Sequence, residues 1–186
     1  MEKEKDNIQT FKKLSFGEFL NLPDDEFHRY ESTGYLLKPD NWGVSDILKW
    51  DYITVKETQA MFGNGYNYEQ LIDLIRTLTG MKREKIIEKT WINVFQFVKF
   101  VSNSIDQVNE LEKKLDYEPD AMEEKAGIDM FNQFGYFATI DRLAGGDPLK
   151  YDDIGKIEYS VIFSKLLLIK TDMQFTKNYQ KQIRND

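Results

Sequence analysis

Residues 54–115 read TVKETQAMFGNGYNYEQLIDLIRTLTGMKREKIIEKTWINVFQFVKFVSNSIDQVNELEKKL, and they contain three successive helix patterns without a catalytic constellation. The first pattern begins at Thr54-x-x-Glu57 and ends at Gly63. A Thr followed three residues later by Glu can bond the free N–H groups at a helix start, and glycine readily takes the left-handed conformation that ends a helix. We therefore expect the first helix between these signals.

The second and third patterns are longer and more regular. The second runs from Asn67-x-x-Gln70 to Gly80, and the third runs from Trp91 to Leu115 without Gly or Pro. In both, apolar residues recur every three or four positions, which is typical of helices that pack along their neighbours. In the third pattern these residues are Val94, Val98, Val101, Ile105, Val108, Leu111 and Leu115.

The C-terminal third contains two further apolar helix faces. One combines Met130, Phe131, Phe134, Phe137, Ala138 and Leu143 and ends at Gly145-Gly146; the other combines Ile162, Leu166, Ile169 and Met173. Turn residues and short apolar runs dominate residues 31–53, where Tyr52-Ile53 is compatible with an extended segment. The sequence thus predicts a mainly α fold: a multi-helix bundle with long helices at about 91–115 and 159–183, and short irregular or extended pieces near 31–53.

The predicted domain organisation is simple. Residues 1–14 are charged and carry only isolated apolar side chains, so we expect an N-terminal arm. Residues 15–186 are expected to form a single helical domain, interrupted by an acidic connector at 116–129 that contains six acidic residues and one lysine.

Composition narrows the function classes. The chain has 186 residues, a net charge of −7 and no cysteine. The acidic balance argues against sequence-specific nucleic-acid binding, which needs a basic face, and the lack of cysteine removes thiolate chemistry and cysteine metal sites. The most apolar run, at 161–169, is too short to span a bilayer. We therefore expect neither a nucleic acid nor a membrane as partner.

Candidate chemical groups are few. His28 is the only histidine, and a solvated helix residue is the favoured interpretation over half of a metal or acid–base site. Asp141, Asp147, Asp152 and Asp153 surround a diglycine turn, but their spacing fits no calcium loop, and helix capping by Asp147 before Pro148 accounts for part of the cluster. We expect no catalytic residue, no metal ligand, no cofactor and no enzymatic activity.

Aromatic residues are abundant, at 14% of the chain. Aromatic side chains outside well-patterned helices often become anchors at protein interfaces, although for each tryptophan local packing onto the core is the alternative. On this basis the predicted interface residues are Ile8, Phe11, Leu14, Trp42, Trp50, Phe175 and Tyr179.

Several stretches together resemble proteins from the structural gene blocks of tailed bacteriophages. They are ITVKE at 53–57, YEQLIDLIRTLTGMKRE at 68–84, GYFATID at 135–141, GGDPLKYDDI at 145–154 and YSVIF at 159–163. The likeness is to tail-assembly-chaperone-like proteins and to small helical structural proteins of crAss-like phages. It implies a non-enzymatic virion or morphogenesis protein and transfers no catalytic residue.

Two function hypotheses follow. The first is a head–tail connector or tail ring component that forms a homo-oligomer, binds other phage structural proteins and, after assembly in the host cytoplasm, resides in the virion. The second is a cytoplasmic tail-assembly chaperone or partner-binding module that is absent from the virion.

Overall fold

The computed structural model describes residues 14–34 and 36–185, and the mainly α prediction is confirmed. Pairing of β type in those residues is limited to two isolated bridges, Ser15–Thr90 and Asp51–Glu158. Both predicted long helices are present, one at Trp91–Glu112 with a 3-10 extension at Lys113–Leu115, and one at Tyr159–Asn185.

The helices are numbered here in chain order. They are α1 (Phe16–Phe19), α2 (Asp24–Gly34), α3 (Tyr52–Asn64), α4 (Tyr68–Thr79), α5 (Arg83–Ile87), α6 (Trp91–Glu112), α7 (Ala121–Lys125), α8 (Phe137–Ala144), α9 (Tyr151–Gly155) and α10 (Tyr159–Asn185). Further 3-10 segments occupy Ile47–Lys49, Ile128–Phe134 and Pro148–Lys150.

The end signals of α4 are confirmed. The Asn67 side chain accepts from the backbone N–H of Gln70 at 2.9 Å, and the Gln70 side chain accepts from the N–H of Asn67 at 2.9 Å. Gly80 has φ of 68°, the left-handed conformation that only glycine adopts at little cost.

The predicted limits of the preceding helix are wrong. Helix α3 begins at Tyr52 rather than at Thr54, because the N–H of Tyr52 donates to the carbonyl of Ile157 at 2.9 Å and needs no side-chain cap. Because Tyr52 and Ile53 are the first two residues of α3, the extended segment expected there is wrong. Gly63 lies inside the helix, and the left-handed residue after it is Gly65, with φ of 78°.

The predicted helix across residues 130–143 is also wrong in its first half. Residues Ile128–Phe134 form a 3-10 segment, and Gly135, with φ of 51°, separates it from α8. Because this break turns the two pieces away from one continuous face, the apolar side chains of the first piece are not buried together.

The chain divides into two compact units, each built from two separate stretches of sequence. The first contains the residues up to Ser45 and Ala60–Ile105, and the second contains Asp46–Gln59 and Asp106–Asp186. The predicted single domain at 15–186 stays a prediction, since compact units that share helices need not fold independently.

The core of the first unit is aromatic. Phe19 is fully buried and its ring stacks on Trp91, with ring centroids 6.0 Å apart, while the Phe95 ring meets its edge at 5.4 Å. Gly34 packs directly against this cluster, because a Cβ atom there would lie 2.2 Å from Cδ1 of Phe95. The helix therefore approaches Phe95 at Gly34 more closely than any residue with a Cβ atom would allow.

The core of the second unit joins the starts of α3 and α10. The N–H of Tyr159 donates to the carbonyl of Trp50 at 2.9 Å, and the stacked rings of Tyr52 and Tyr159 lie 6.1 Å apart. Val55, Val108 and Ile140 are buried beside them, as is Ile162 of the predicted α10 face.

Candidate interaction surface

Exposed apolar side chains are concentrated in the second unit. Among the residues that the structure describes, every large hydrophobic side chain classed as exposed belongs to this unit except Leu36. They are Tyr117, Met122, Met130, Phe131, Phe134, Phe137, Leu149, Val161, Leu167, Leu168, Met173, Phe175, Tyr179 and Ile183. Soluble monomers rarely expose so many apolar side chains within one unit, and such surfaces commonly bind other proteins.

Part of this surface borders a groove of about 840 Å³ along α10. Its apolar lining comes from the predicted α10 face, through Leu166, Ile169 and Met173, and from Leu115 and Ile128 opposite. Charged groups of both signs border the groove: Asp120, Glu123, Arg142, Lys170, Asp172 and Lys177.

Two lysines of α10 fix one wall of the groove. The Lys170 ammonium donates to the carbonyls of Lys114 and Asp116, at 2.9 and 2.6 Å, and so satisfies carbonyls at the end of α6 that lack helical partners. Lys177 pairs with Asp120 at 3.1 Å. These bonds attach α10 to the acidic connector.

The connector is locally ordered by a capping box that the acidic composition did not reveal. Asp120 accepts from the N–H groups of Met122 and Glu123, and Glu123 accepts from the N–H of Asp120 at 2.7 Å and from the Tyr117 hydroxyl at 2.6 Å. The N–H of Glu123 is the main reason that the pKa of Asp120 lies below its usual range, and the Tyr117 hydroxyl is the main reason for the lowered pKa of Glu123.

A buried polar cluster lies elsewhere in the second unit, outside the groove lining. The Glu112 carboxylate accepts from Lys56 at 2.6 Å, from Tyr159 at 2.7 Å and from Gln59 at 3.0 Å. Burial would raise the pKa of Glu112, but the bonds from these three donors outweigh it, and the pKa of Glu112 is lowered. Burial, followed by the hydrogen bond to Glu112, raises the pKa of the Tyr159 phenol. Lys56 and Gln59 belong to α3 and Tyr159 belongs to α10, so their bonds to Glu112 connect these two helices to α6.

Asp147, Asp141 and His28, which were considered for metal or acid–base chemistry, have structural partners. Asp147 caps the 3-10 segment by accepting from the N–H of Leu149 at 3.1 Å, as expected, and Asp141 accepts from the Tyr151 hydroxyl. His28 is exposed and lies 3.5 Å from Glu31. Across residues 14–34 and 36–185, no three His, Cys, Asp or Glu side chains are grouped closely enough to hold a metal ion.

The predicted interface residues occupy very different positions. Ile8 and Phe11 lie outside the described residues, and Leu14 is half-buried, with its carbonyl accepting from the N–H of Trp91 at 3.1 Å. Trp50 is only 5% exposed, as the packing alternative for this tryptophan expects.

Trp42 is also engaged within its own unit. Its ring stacks on Phe97 at 4.7 Å, and the Lys89 ammonium lies 4.5 Å from the ring centroid. In contrast, Phe175 and Tyr179 are exposed and their rings stack on each other at 6.1 Å. Of the seven predicted positions, these two belong to the apolar surface of the second unit.

The chain matches no protein-family model, no curated protein and no solved structure. The phage resemblance therefore stays an expectation. In the described part of the chain, each helix is too short or too polar to cross a membrane.

Proposed function

We propose that this protein is a non-enzymatic assembly subunit that binds other polypeptides through the apolar surface of its second unit. The concentration of exposed Phe, Met, Leu and Ile side chains in that unit is the observation that carries the proposal. Aromatic and methionine side chains are enriched in the centres of protein interfaces, where they contribute most of the binding energy.

The biological setting of the proposal comes from the sequence resemblance. The assembly in question is the virion of a tailed bacteriophage, with the protein as a head–tail connector or tail ring component that binds copies of itself and other phage structural proteins. A compact helical unit with a long exposed helix suits such a role, because each copy can contact neighbours through a fixed surface.

The groove along α10 favours the second candidate, a tail-assembly chaperone absent from the virion. An apolar lining bordered by charges of both signs, among them Lys177 and Asp172, is the kind of site that accepts an amphipathic segment of another chain. A chaperone would hold such a segment until the tail assembles.

Mass analysis of the purified particles of the encoding phage separates the candidates. A virion component is expected at a fixed, ring-like copy number per particle. A chaperone is expected to be absent from the particles and to co-purify with an unassembled tail protein. Absence from the particles, together with no association with itself or with any co-expressed tail protein, would refute both.

A further inference from the structure

The outer side of α10 carries an apolar stripe, interrupted by Lys165 and Asp172, that its own unit leaves uncovered. The side chains of this stripe are 55 to 66% exposed. They are Val161, Leu168, Phe175, Tyr179 and Ile183, and we call them the outer stripe.

Helical geometry places these residues on one line. Successive residues of an α-helix are rotated by about 100°, so spacings of seven, seven, four and four keep the outer stripe within about 40° of a line along the helix. Ile162, Leu166 and Ile169, which contact the rest of the unit, lie about 80–140° away around the same helix. The helix therefore has two apolar faces, and only one is used within the chain.

We infer that the outer stripe pairs with a second copy of this chain through Val161, Leu168 and Phe175, with the two helices antiparallel and related by a two-fold axis at Leu168. This inference rests on the proposed assembly function and specifies its contact. In this arrangement Leu168 faces Leu168 of the second copy, and Val161 faces Phe175 of the second copy.

Charge complementarity selects this arrangement. Lys165 and Asp172 are exposed, three residues before and four residues after Leu168, and helical geometry places both on the same side of the line, about 40° and 20° from it and therefore within the width of the outer stripe. In an antiparallel pair like flanks face each other, so Lys165 of each copy meets Asp172 of the other, as charged flanking positions do in coiled coils. Both ion pairs form at once because the axis is two-fold.

Other arrangements lose these pairs. In a parallel pair, the side of the helix with Lys165 and Asp172 faces the other side of the second helix. Ser160 and Leu167 occupy the facing positions there. An antiparallel pair with its axis at Asp172 brings the two Asp172 carboxylates together. Neither offers a charge of opposite sign.

The size of the outer stripe sets the expected strength. In this arrangement Val161, Leu168 and Phe175 face outer-stripe residues of the second copy, and three side chains cover less than the roughly 800 Å² per partner of a standard interface. We therefore expect a monomer–dimer equilibrium with a dissociation constant on the order of micromolar rather than a permanent dimer.

Sedimentation equilibrium of the full chain over a range of concentrations tests the contact. Leu168→Glu should weaken dimerisation by about tenfold or more, because it places two carboxylates at the axis. Leu149→Glu is the matched control, since Leu149 is 89% exposed in the same unit but lies outside α10. Circular dichroism should show the same helix content for both variants, because neither side chain is buried.

Cysteine cross-linking tests the orientation in a chain that has no natural cysteine. The double variant Val161→Cys with Phe175→Cys should form disulfide-linked dimers under mild oxidation. Val161→Cys alone should not, because the two positions lie about 21 Å apart along an antiparallel pair.

The outcomes separate this inference from the proposed function. A wild-type chain that stays monomeric, a Leu168→Glu variant that dimerises normally, or efficient cross-linking by Val161→Cys alone would overturn the inference. The proposed function would then still be decided by particle composition and by association through the rest of the apolar surface.

Discussion

The Tyr159 hydroxyl donates to Oε1 of Glu112 at 2.7 Å, and the same oxygen accepts from the Lys56 ammonium at 2.6 Å. One carboxylate oxygen therefore joins residues that are 47 and 56 positions from Glu112 in the sequence. The side chains of Lys56 and Glu112 are 19 and 25% exposed, so the pair is shielded from solvent and its loss should affect stability.

Glu112→Gln should lower the free energy of unfolding at neutral pH by about 1–3 kcal/mol, because an amide cannot satisfy the Lys56 charge. The pKa of Glu112 is lowered in the folded protein, so its contribution is complete above the ordinary carboxyl pKa of about 4.3 and is lost as the pH falls below that value. Urea unfolding of the wild type and the variant from pH 7 to pH 3 measures this difference. If the difference in unfolding free energy between the wild type and the variant stays constant from pH 7 to pH 3, the lowered pKa of Glu112 is contradicted.

Tyr159→Phe should lower the free energy of unfolding by about 1 kcal/mol, because it removes one hydrogen bond and preserves the ring that stacks on Tyr52. Tyr179→Phe is the control, since that side chain is exposed. Thermal unfolding of both variants at one protein concentration gives the comparison. Equal melting temperatures for the two variants would show that the Tyr159 hydroxyl contributes little.

Gly34→Ala should destabilise the protein by about 1–3 kcal/mol, because the new methyl group overlaps the buried Phe95 ring. Gly63→Ala should instead stabilise it by about 0.5–1 kcal/mol, because Gly63 lies inside α3 with open space around its Cα and alanine favours helix. Guanidinium unfolding of the two variants should therefore show changes of opposite sign in the free energy of unfolding. A destabilised Gly63→Ala variant would be evidence that α3 ends earlier than the structure shows.

Lys170→Met should loosen the connector from α10, because the carbonyls of Lys114 and Asp116 lose their shared donor while the aliphatic part of the side chain is retained. Hydrogen exchange of residues 113–125 should become faster, with a loss of about 1 kcal/mol in overall stability. Lys181→Met, at an exposed position of the same helix, should leave exchange in that segment unchanged. Unchanged exchange in the Lys170 variant would show that other contacts hold the connector.

The sequence predicts the fold where the signals are local. The capping box at Asn67, the left-handed Gly80 and the two long apolar periodicities depend on residues within a few positions of each other, and all of them are confirmed. The start of α3 depends on a hydrogen bond to Ile157, more than a hundred positions away, and no local pattern reveals it.

The candidate surface was predictable only in part. Phe175 and Tyr179 interrupt a polar run near residue 180, and this pattern indicates exposed side chains. The apolar residues at 130–134 fit the pattern of a buried helix face, but Gly135 interrupts the helix and they are exposed. The Glu112 cluster carried no sequence signal, because its donors come from two helices that are distant from Glu112 in the chain.

The division of the chain into interleaved segments has a consequence for biosynthesis. All residues of the first unit have been translated once the ribosome passes Ile105, whereas Asp46–Gln59 must wait for a partner segment that includes α10. A nascent chain therefore completes one unit well before the other, and the apolar residues of the early segment need protection until α10 has been translated.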